Sequence, residues 1–228
     1  MNTIHPDERP SQHHPRRRAG DAVFIAVAGN IGSGKSSLTR LLSERLGWKP
    51  FFESVDDNPY LDDFYRDMRR WAFPLQVYFL SNRFRSHRAI TEGVDSVVLD
   101  RVIYEDAEIF ARNLFEIGMM DERDYRNYLA LYGVMTDYLE PPDVLIYLEA
   151  GVDTLLRQIG TRGRAFELGI SREYLERLNK LYAEWIERYT KGTVLKVPSD
   201  RVDFVNNPAD LDVIVGNLKD LLPPGGAG

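Results

Sequence analysis

The chain has 228 residues, a formal net charge of −6 at pH 7, 43% hydrophobic and 28% charged residues, and no cysteine. Such a length suits one good-sized domain with a real core; the missing cysteines exclude disulfides, thiolate catalysis and zinc-cysteine sites; and the acidic balance argues against a broad nucleic-acid-binding surface. No apolar run approaches the roughly 20 residues that span a bilayer, and the N-terminus lacks the apolar segment of a secretion signal, so a cytoplasmic protein with no membrane partner is expected.

Residues 1–20 (MNTIHPDERPSQHHPRRRAG) are polar, contain three prolines and show no apolar period, which predicts a disordered tail. His13, His14 and the run Arg16 to Arg18 are read as part of that tail, because termini without packing residues are seldom ordered. Ala22 to Ala28 (AVFIAVA) is a short apolar run with β-branched residues, as in a strand buried on both faces. It leads into Gly29 to Ser36, GNIGSGKS, which fits the phosphate-binding pattern G-x-x-x-x-G-K-[ST] at every specified position. Ser37 to Leu46 follows with leucines at helical spacing. Strand, glycine loop and helix are the context that the motif requires, and this counts against a chance glycine turn. Gly29, Gly32 and Gly34 let the loop amides approach phosphate oxygens, and the helix N-terminus favours anionic charge. Lys35 is expected to reach the β and γ phosphates, and the Ser36 hydroxyl to ligate magnesium. Asn30, Ile31, Ser33 and Ser37 complete the expected ATP-binding set.

Trp48 to Phe52 reads as a second strand that delivers Glu53 at its carboxyl end, where ligands of open α/β sheets sit. Asn58-Pro59 marks a turn or helix start. Tyr60 to Glu92 is helical in pattern, with a break expected near Phe73-Pro74. Gln76 and Arg83, seven residues apart, lie two turns along one face. Ser96 to Leu99 is a third strand ending in Asp100-Arg101. Tyr104 to Ile117 reads as a helix on which Asp106 and Phe110 share a face, ended by Gly118. Asp121 to Leu139 gives another helix, stopped by Pro141-Pro142. Val144 to Leu148 is the fourth strand, and Gly151 to Gln158 a short helix leading into Thr161 to Glu167 (TRGRAFE). Ser171-x-x-Tyr174 opens a helix to Tyr189, Thr193 to Val197 is the fifth strand, Asp200 to Asn207 a loop and Pro208 to Leu222 the last helix, before a short tail at 223–228. The alternation predicts an α/β fold with a five-stranded parallel sheet flanked by helices. One domain over residues 21–222 is expected, with no internal repeat and no dividing linker.

Glu53 and Asp100 are strand-end carboxylates; one could take a proton from a nucleophile and the other hold magnesium, usually through water. Arg162 and Arg164, around a glycine, suit a mobile lid that brings positive charge to a transferring phosphoryl group. Singly, such carboxylates often cap helices and Arg-Gly-Arg is often a solvated turn. Together on a phosphate-loop chain they fit phosphoryl transfer.

This ordered set resembles the deoxyribonucleoside kinase family, in its bacterial deoxyadenosine/deoxyguanosine kinase type. The resemblance runs from about Val23 to Phe204 and rests on the phosphate loop, Glu53, the segment DNPYLDDFYRD followed by Trp71 and Gln76, the Asp100-Arg101 pair and RGRAFE. It implies that Glu53 is the general base for the sugar 5′-hydroxyl, with Arg101 beside it and Asp100 near magnesium. Lys35, Arg162 and Arg164 complete the implied catalytic set. Gln76 would hydrogen-bond the base, Phe110 stack on it, Tyr65 and Glu167 hold the 3′-hydroxyl, and Arg83 with Asp106 form a polar pair at the base edge. The family also implies the P-loop kinase fold with an arginine-bearing lid, ATP as phosphate donor with Mg2+, and a homodimer formed through helices, here Tyr104 to Leu139. Two positions depart from the family pattern. Val102 stands where many relatives have serine, and Gln158 where the leading lid arginine falls; Arg157, one residue earlier, is the residue assigned to the nucleotide. On periodicity alone Tyr65, Trp71 and Phe110 are core, and only the resemblance promotes Tyr65 and Phe110.

Other functions fit less well. A thymidylate-type nucleoside monophosphate kinase shares the loop and a lid arginine but needs a substrate-phosphate site instead of Glu53. A catalytically silent binding subunit would not require Lys35, Glu53 and Arg101 together. The guanine-reading Asn-Lys-x-Asp of GTPases and the protein-kinase signatures are missing. For the base, Gln76 can pair with an adenine edge, giving to N7 and accepting from N6, or with guanine after an amide flip. Ionised Asp106 only accepts and wants an amino group, which thymine lacks. That disfavours thymidine; between purine and cytosine, the resemblance of the DNPYLDDFY segment to bacterial purine-directed members implies deoxyadenosine or deoxyguanosine, with deoxycytidine a lesser substrate, and an enzyme preferring deoxycytidine or thymidine is the alternative.

Overall fold

The computed structural model describes residues 22–52, 58–164, 167 and 169–222. Both expected tails and Glu53 lie outside the described residues. In chain order the elements are β1 (Phe24–Gly29), α1 (Lys35–Leu46), β2 (Lys49–Phe51), α2 (Leu61–Arg66), α3 (Met68–Thr91), β3 (Val97–Asp100), a π-helix (Asp106–Ala111), α4 (Arg112–Glu116), α5 (Glu122–Thr136), β4 (Val144–Glu149), α6 (Val152–Arg162), α7 (Arg172–Glu187), β5 (Thr193–Pro198) and α8 (Pro208–Lys219). They fall into two compact units. One holds all five strands with α1, α6, α7 and α8; the other holds α2 to α5 and the π-helix.

In the first unit the strand order is β2-β3-β1-β4-β5 and every neighbouring pair is parallel, as expected. The central strand β1 is buried along its whole length, which is why it reads as a continuous apolar run. Side chains alternate between the two faces. Ile25, Val27, Val98, Ile146 and Leu148 pack with Leu38 and Leu42 of α1 and with Ile214, Val215 and Leu218 of α8. On the opposite face Tyr147 stacks on Tyr182 of α7, with ring centroids 5.9 Å apart. Register sets up the chemistry, because Val27 of β1 pairs with Asp100 of β3 and Gly29 with Leu148 of β4. Asp100 thus ends its strand level with the start of the phosphate loop. The expected order of strands and helices in this unit is found, with boundaries moved by a residue or two. One helix is longer than expected: α6 runs on through Arg162, and Gly163 caps it in the left-handed conformation.

In the second unit α3 packs against α2, α5 and the π-helix. Two expectations are corrected here. The break in the Tyr60 to Glu92 pattern falls at Asp67, not at Phe73-Pro74, and Pro74 lies inside α3. Asp67 takes an extended backbone (φ −146°, ψ 81°) and its carboxylate accepts from the Arg70 N–H at 3.1 Å. That cap supplies a partner for an end group of the helix, whereas Pro74 removes one internal bond and the packed helix continues around it. The second correction concerns Tyr104 to Ile117, which is not one α-helix: the hydrogen bonds widen to i→i+5 over Asp106–Ala111 before α4 begins. This segment is buried nearly all round, so no apolar stripe marks its period. Among the described residues, no helix is long and apolar enough to cross a membrane.

Candidate active site

The phosphate loop occupies the turn from β1 into α1. Gly29 (φ 150°) and Gly32 (φ 81°) take backbone conformations open to glycine. A Cβ on Gly29 would stand 2.9 Å from the Leu148 carbonyl oxygen, and one on Gly32 2.8 Å from that of Leu155. Strand pairing and α6 therefore close on the loop too tightly for any side chain. Lys35 is buried and folded over the loop, its Nζ donating to the carbonyls of Gly29 and Asn30 at 2.8 Å each. The Ser36 hydroxyl donates to Asp100 Oδ2 at 2.5 Å. Asp100 is 4% exposed, and its Oδ1 has no hydrogen-bond partner among the described residues. A buried carboxylate oxygen without a donor, beside a hydroxyl, is a hard-oxygen set that fits a magnesium ion. Among the described residues no cluster of three or more His, Cys, Asp or Glu offers a full protein cage, and magnesium is commonly bound through one or two carboxylates plus substrate phosphates.

Arg101 follows Asp100 with φ 72°, the one non-glycine residue at positive φ among those described. Its N–H bonds the Val27 carbonyl at 3.0 Å, and the side chain is buried. An arginine held in a sparsely populated conformation is the kind of strain that collects at functional sites. Nothing in the local sequence announces it. Val102 is fully buried, an apolar core position with no hydroxyl to offer.

A cleft of about 810 Å³ opens beside the loop. Its walls are Gly32 and Gly34 to Ser37, then Arg157, Gln158, Thr161, Arg162 and Arg164, and on the far side residues 199–206. Arg157, whose Nη2 donates to Thr154 Oγ1 at 3.3 Å, and Gln158 both reach it. Arg162 hydrogen-bonds Glu167, and Arg164 Nη1 lies 3.6 Å from the same carboxylate. The structure thus brings together Arg162, Arg164 and Glu167, which is 6% exposed. Sequence reasoning treated Asp200 to Asn207 as a plain loop and missed the wall made by Arg201, Asp203, Phe204 and Asn206. The available signal was its position, since it leaves the carboxyl end of the fifth strand, where ligands of open sheets gather.

The remaining expected residues belong to the helical unit. Tyr65 lies on α2 with its ring against Phe64. Gln76 and Arg83 share the buried face of α3 with Leu80, His87 and Ile90. Arg83 Nε donates to Asp106 Oδ2 at 2.6 Å, an ion pair whose side chains are 6% and 2% exposed. Gln76 is 4% exposed, and its Oε1 has no hydrogen-bond partner among the described residues. Phe110 sits half-buried in the π-helix. The sequence reading missed Tyr128, a fully buried residue of α5. Burial, reinforced by the Asp106 charge and opposed by Arg83, pushes its phenol well above the ordinary value. A neutral hydroxyl therefore borders the ion pair. Trp71 forms an aromatic cluster with Tyr60, which also meets Tyr78, centroids 5.8 Å apart in each case; that is the packing role its periodicity suggested.

A model of the deoxynucleoside kinase family matches residues 25–223. The deoxyadenosine/deoxycytidine kinase of Bacillus subtilis (strain 168) is 41% identical over 213 residues, 92% of this chain and 96% of that protein. A deoxyguanosine kinase of Lactobacillus acidophilus is 40% identical over 210 residues, 88% of this chain and 91% of its own. Among solved structures, deoxyadenosine kinase from M. mycoides with the products dCMP and a flexible dCDP bound superposes with a TM-score of 0.77. It is 29% identical, over 86% of this chain and 98% of that one.

Proposed function

Because the chain belongs to the deoxynucleoside kinase family, we propose that it transfers the γ-phosphate of ATP to the 5′-hydroxyl of a purine deoxyribonucleoside. Deoxyadenosine or deoxyguanosine is the substrate, and the 5′-monophosphate is released for nucleotide salvage. The purine reading is supported by the relatives named for deoxyadenosine and deoxyguanosine, and the observation that sets thymidine apart is the buried Arg83–Asp106 pair on the same unit as Gln76, whose Oε1 has no partner among the described residues. A buried acceptor left unmet is costly, and an adenine N6 or, after an amide flip, a guanine N1–H satisfies it. Asp106, acceptor only, takes an amino group at the base edge, and Phe110 stacks on the ring.

On the donor side the loop amides and the start of α1 hold the β and γ phosphates, and Lys35 turns from its carbonyls to meet them. Arg157 contacts the nucleotide. A magnesium ion at Ser36 and Asp100, bound with ATP, supplies charge neutralisation on the phosphate oxygens. Arg162 and Arg164 leave Glu167 to meet the charge of the transferring group, and Glu167 with Tyr65 then holds the 3′-hydroxyl. Glu53 accepts the 5′-hydroxyl proton, with Arg101 beside it; that assignment rests on sequence position. A homodimer through 104–139 is supported by Val134 on α5 and Tyr138 just past the end of that helix, large side chains that are both more than half exposed. The location proposed is cytoplasmic.

The test is a panel of deoxynucleosides and ribonucleosides with ATP and magnesium, scored for monophosphate. Deoxyadenosine or deoxyguanosine should give the highest kcat/KM. Thymidine should be disfavoured by about 1 to 3 kcal/mol, the cost of one unmet buried hydrogen bond. Thymidine in first place would overturn this account of the pocket. A second reading, deoxycytidine as a good substrate, is favoured by the B. subtilis relative named for both nucleosides and by the cytosine N4 amino group, which Asp106 can equally accept.

A further inference from the structure

The phosphate loop is held from behind by one face of α7. The Asn30 side-chain amide donates to the Leu175 carbonyl at 3.0 Å and to Asn179 Oδ1 at 2.7 Å, and its oxygen accepts from the Ile31 N–H at 2.7 Å. Asn179 in turn donates to the carbonyl of Ala150, just past β4, at 2.9 Å. The Tyr182 hydroxyl donates to the Gly29 carbonyl at 2.8 Å. Leu175, Asn179 and Tyr182 recur at helical spacing, so a single face of α7 makes all these contacts. Asn30 is 2% and Tyr182 0% exposed, and the stack on Tyr147 fixes the plane of the phenol.

The carbonyls of Gly29 and Asn30 are the same two that Lys35 occupies. A lysine that turns to a phosphate gives up both bonds, after which the Asn30 carbonyl keeps the Ser33 N–H at 3.1 Å and the Gly29 carbonyl keeps the Tyr182 hydroxyl at 2.8 Å. The bonds from α7 do not depend on Lys35. We propose that Asn179 and Tyr182 are positioning residues of the ATP site, holding the Gly29–Ile31 segment in its binding shape while Lys35 leaves its carbonyls for the donor phosphates. Neither residue lines the cleft beside the loop; both act through the loop. The proposal rests on the reading that this loop binds ATP.

Equilibrium titration with magnesium ATP, alongside steady-state kinetics and Tm, tests it on Tyr182→Phe, Asn179→Ala, Asn30→Ala and the Asn30→Ala/Asn179→Ala pair. Tyr182→Phe keeps the ring and removes the donor, so the dissociation constant for ATP should rise roughly 3- to 10-fold, the worth of one neutral hydrogen bond. The nucleoside KM should stay unchanged. The double asparagine variant should lose less ATP affinity than the two single losses combined, because the Asn30–Asn179 bond is removed in both single variants. Variants with lowered Tm but unaltered ATP affinity would reduce Asn179 and Tyr182 to packing residues and overturn the proposal. Additive losses in the asparagine pair would overturn the coupling. Failure of the unaltered enzyme to bind ATP would instead bring down the reading of the loop, and the proposal with it.

Discussion

In the proposed site the phosphate loop sets eight consecutive residues, Gly29 to Ser36, around the donor phosphates, its backbone amides joined by the side chains of Lys35 and Ser36. The proposed base-edge set draws Gln76, Arg83, Asp106 and Phe110 from α3 and the π-helix and would work through side chains. In the first region three glycines and a helix start shape the proposed binding surface, and stability comes from the sheet beneath. In the second, recognition and stability are the same interaction, because an arginine and an aspartate buried to 6% and 2% exposure must stay paired to be tolerated. A backbone site can lose its ligand affinity and keep its fold; a buried side-chain site cannot change one partner without unfolding pressure.

The largest effect should come from a residue of neither region. Glu53→Gln is expected to keep fold and ATP binding and to lose rate by roughly 10²- to 10⁴-fold, the usual worth of a positioned base. Near-normal turnover would remove Glu53 as the base. The comparison itself is tested by Asp106→Ala, which strands a buried guanidinium and should cost about 3 to 5 kcal/mol of stability, seen by denaturant titration. Adding Arg83→Met removes the stranded charge and should recover much of that loss, while the double variant admits thymidine and binds purines less well. If the single and double variants were equally stable, the pair would not be a buried ion pair in solution.

On the phosphate side, Arg162→Ala or Arg164→Ala should lower turnover by about 10²-fold, the scale of removing one transition-state donor, with far less change in nucleoside KM. A change in nucleoside KM alone would move these arginines from the transferring phosphate to the acceptor. Removing residues 1–18 should leave activity and Tm nearly unchanged, since the segment has little apolar surface to bury; a large drop in either would show the tail docked on the body.

The smallest effect belongs to Asp153, whose carboxyl is held below its ordinary range by the hydrogen bond and charge of Arg172. A depressed folded-state value means that the pair stabilises above the unfolded-state value and stops doing so as the pH falls through the folded one. Asp153→Asn should therefore lower Tm slightly at neutral pH and not at all in acid, because the pair is exposed and screened. A larger deficit in acid than at neutral pH would reverse the sign and refute the pairing.

The succession of strands along the chain and the phosphate loop could be read from the residues, because each depends on neighbours in the chain: a strand buried on both faces is apolar throughout, and a loop built to bind with its own amides needs its glycines in fixed places. The break at Asp67 was placed wrongly because proline is a visible obstacle, whereas a carboxylate cap exists only once the helix has formed. The π-helix left no trace, since its residues are buried nearly all round and carry no stripe whose period could be counted. The cleft wall at 199–206 looks like any polar turn until the fifth strand sets it beside the loop. Asn179 and Tyr182 pass for ordinary helix positions, and their partners Asn30 and Gly29 lie 149 and 153 residues away. Local spacing determines which elements form. The choice among distant hydrogen-bond partners is made only when packing removes water from both, and that depends on the tertiary structure.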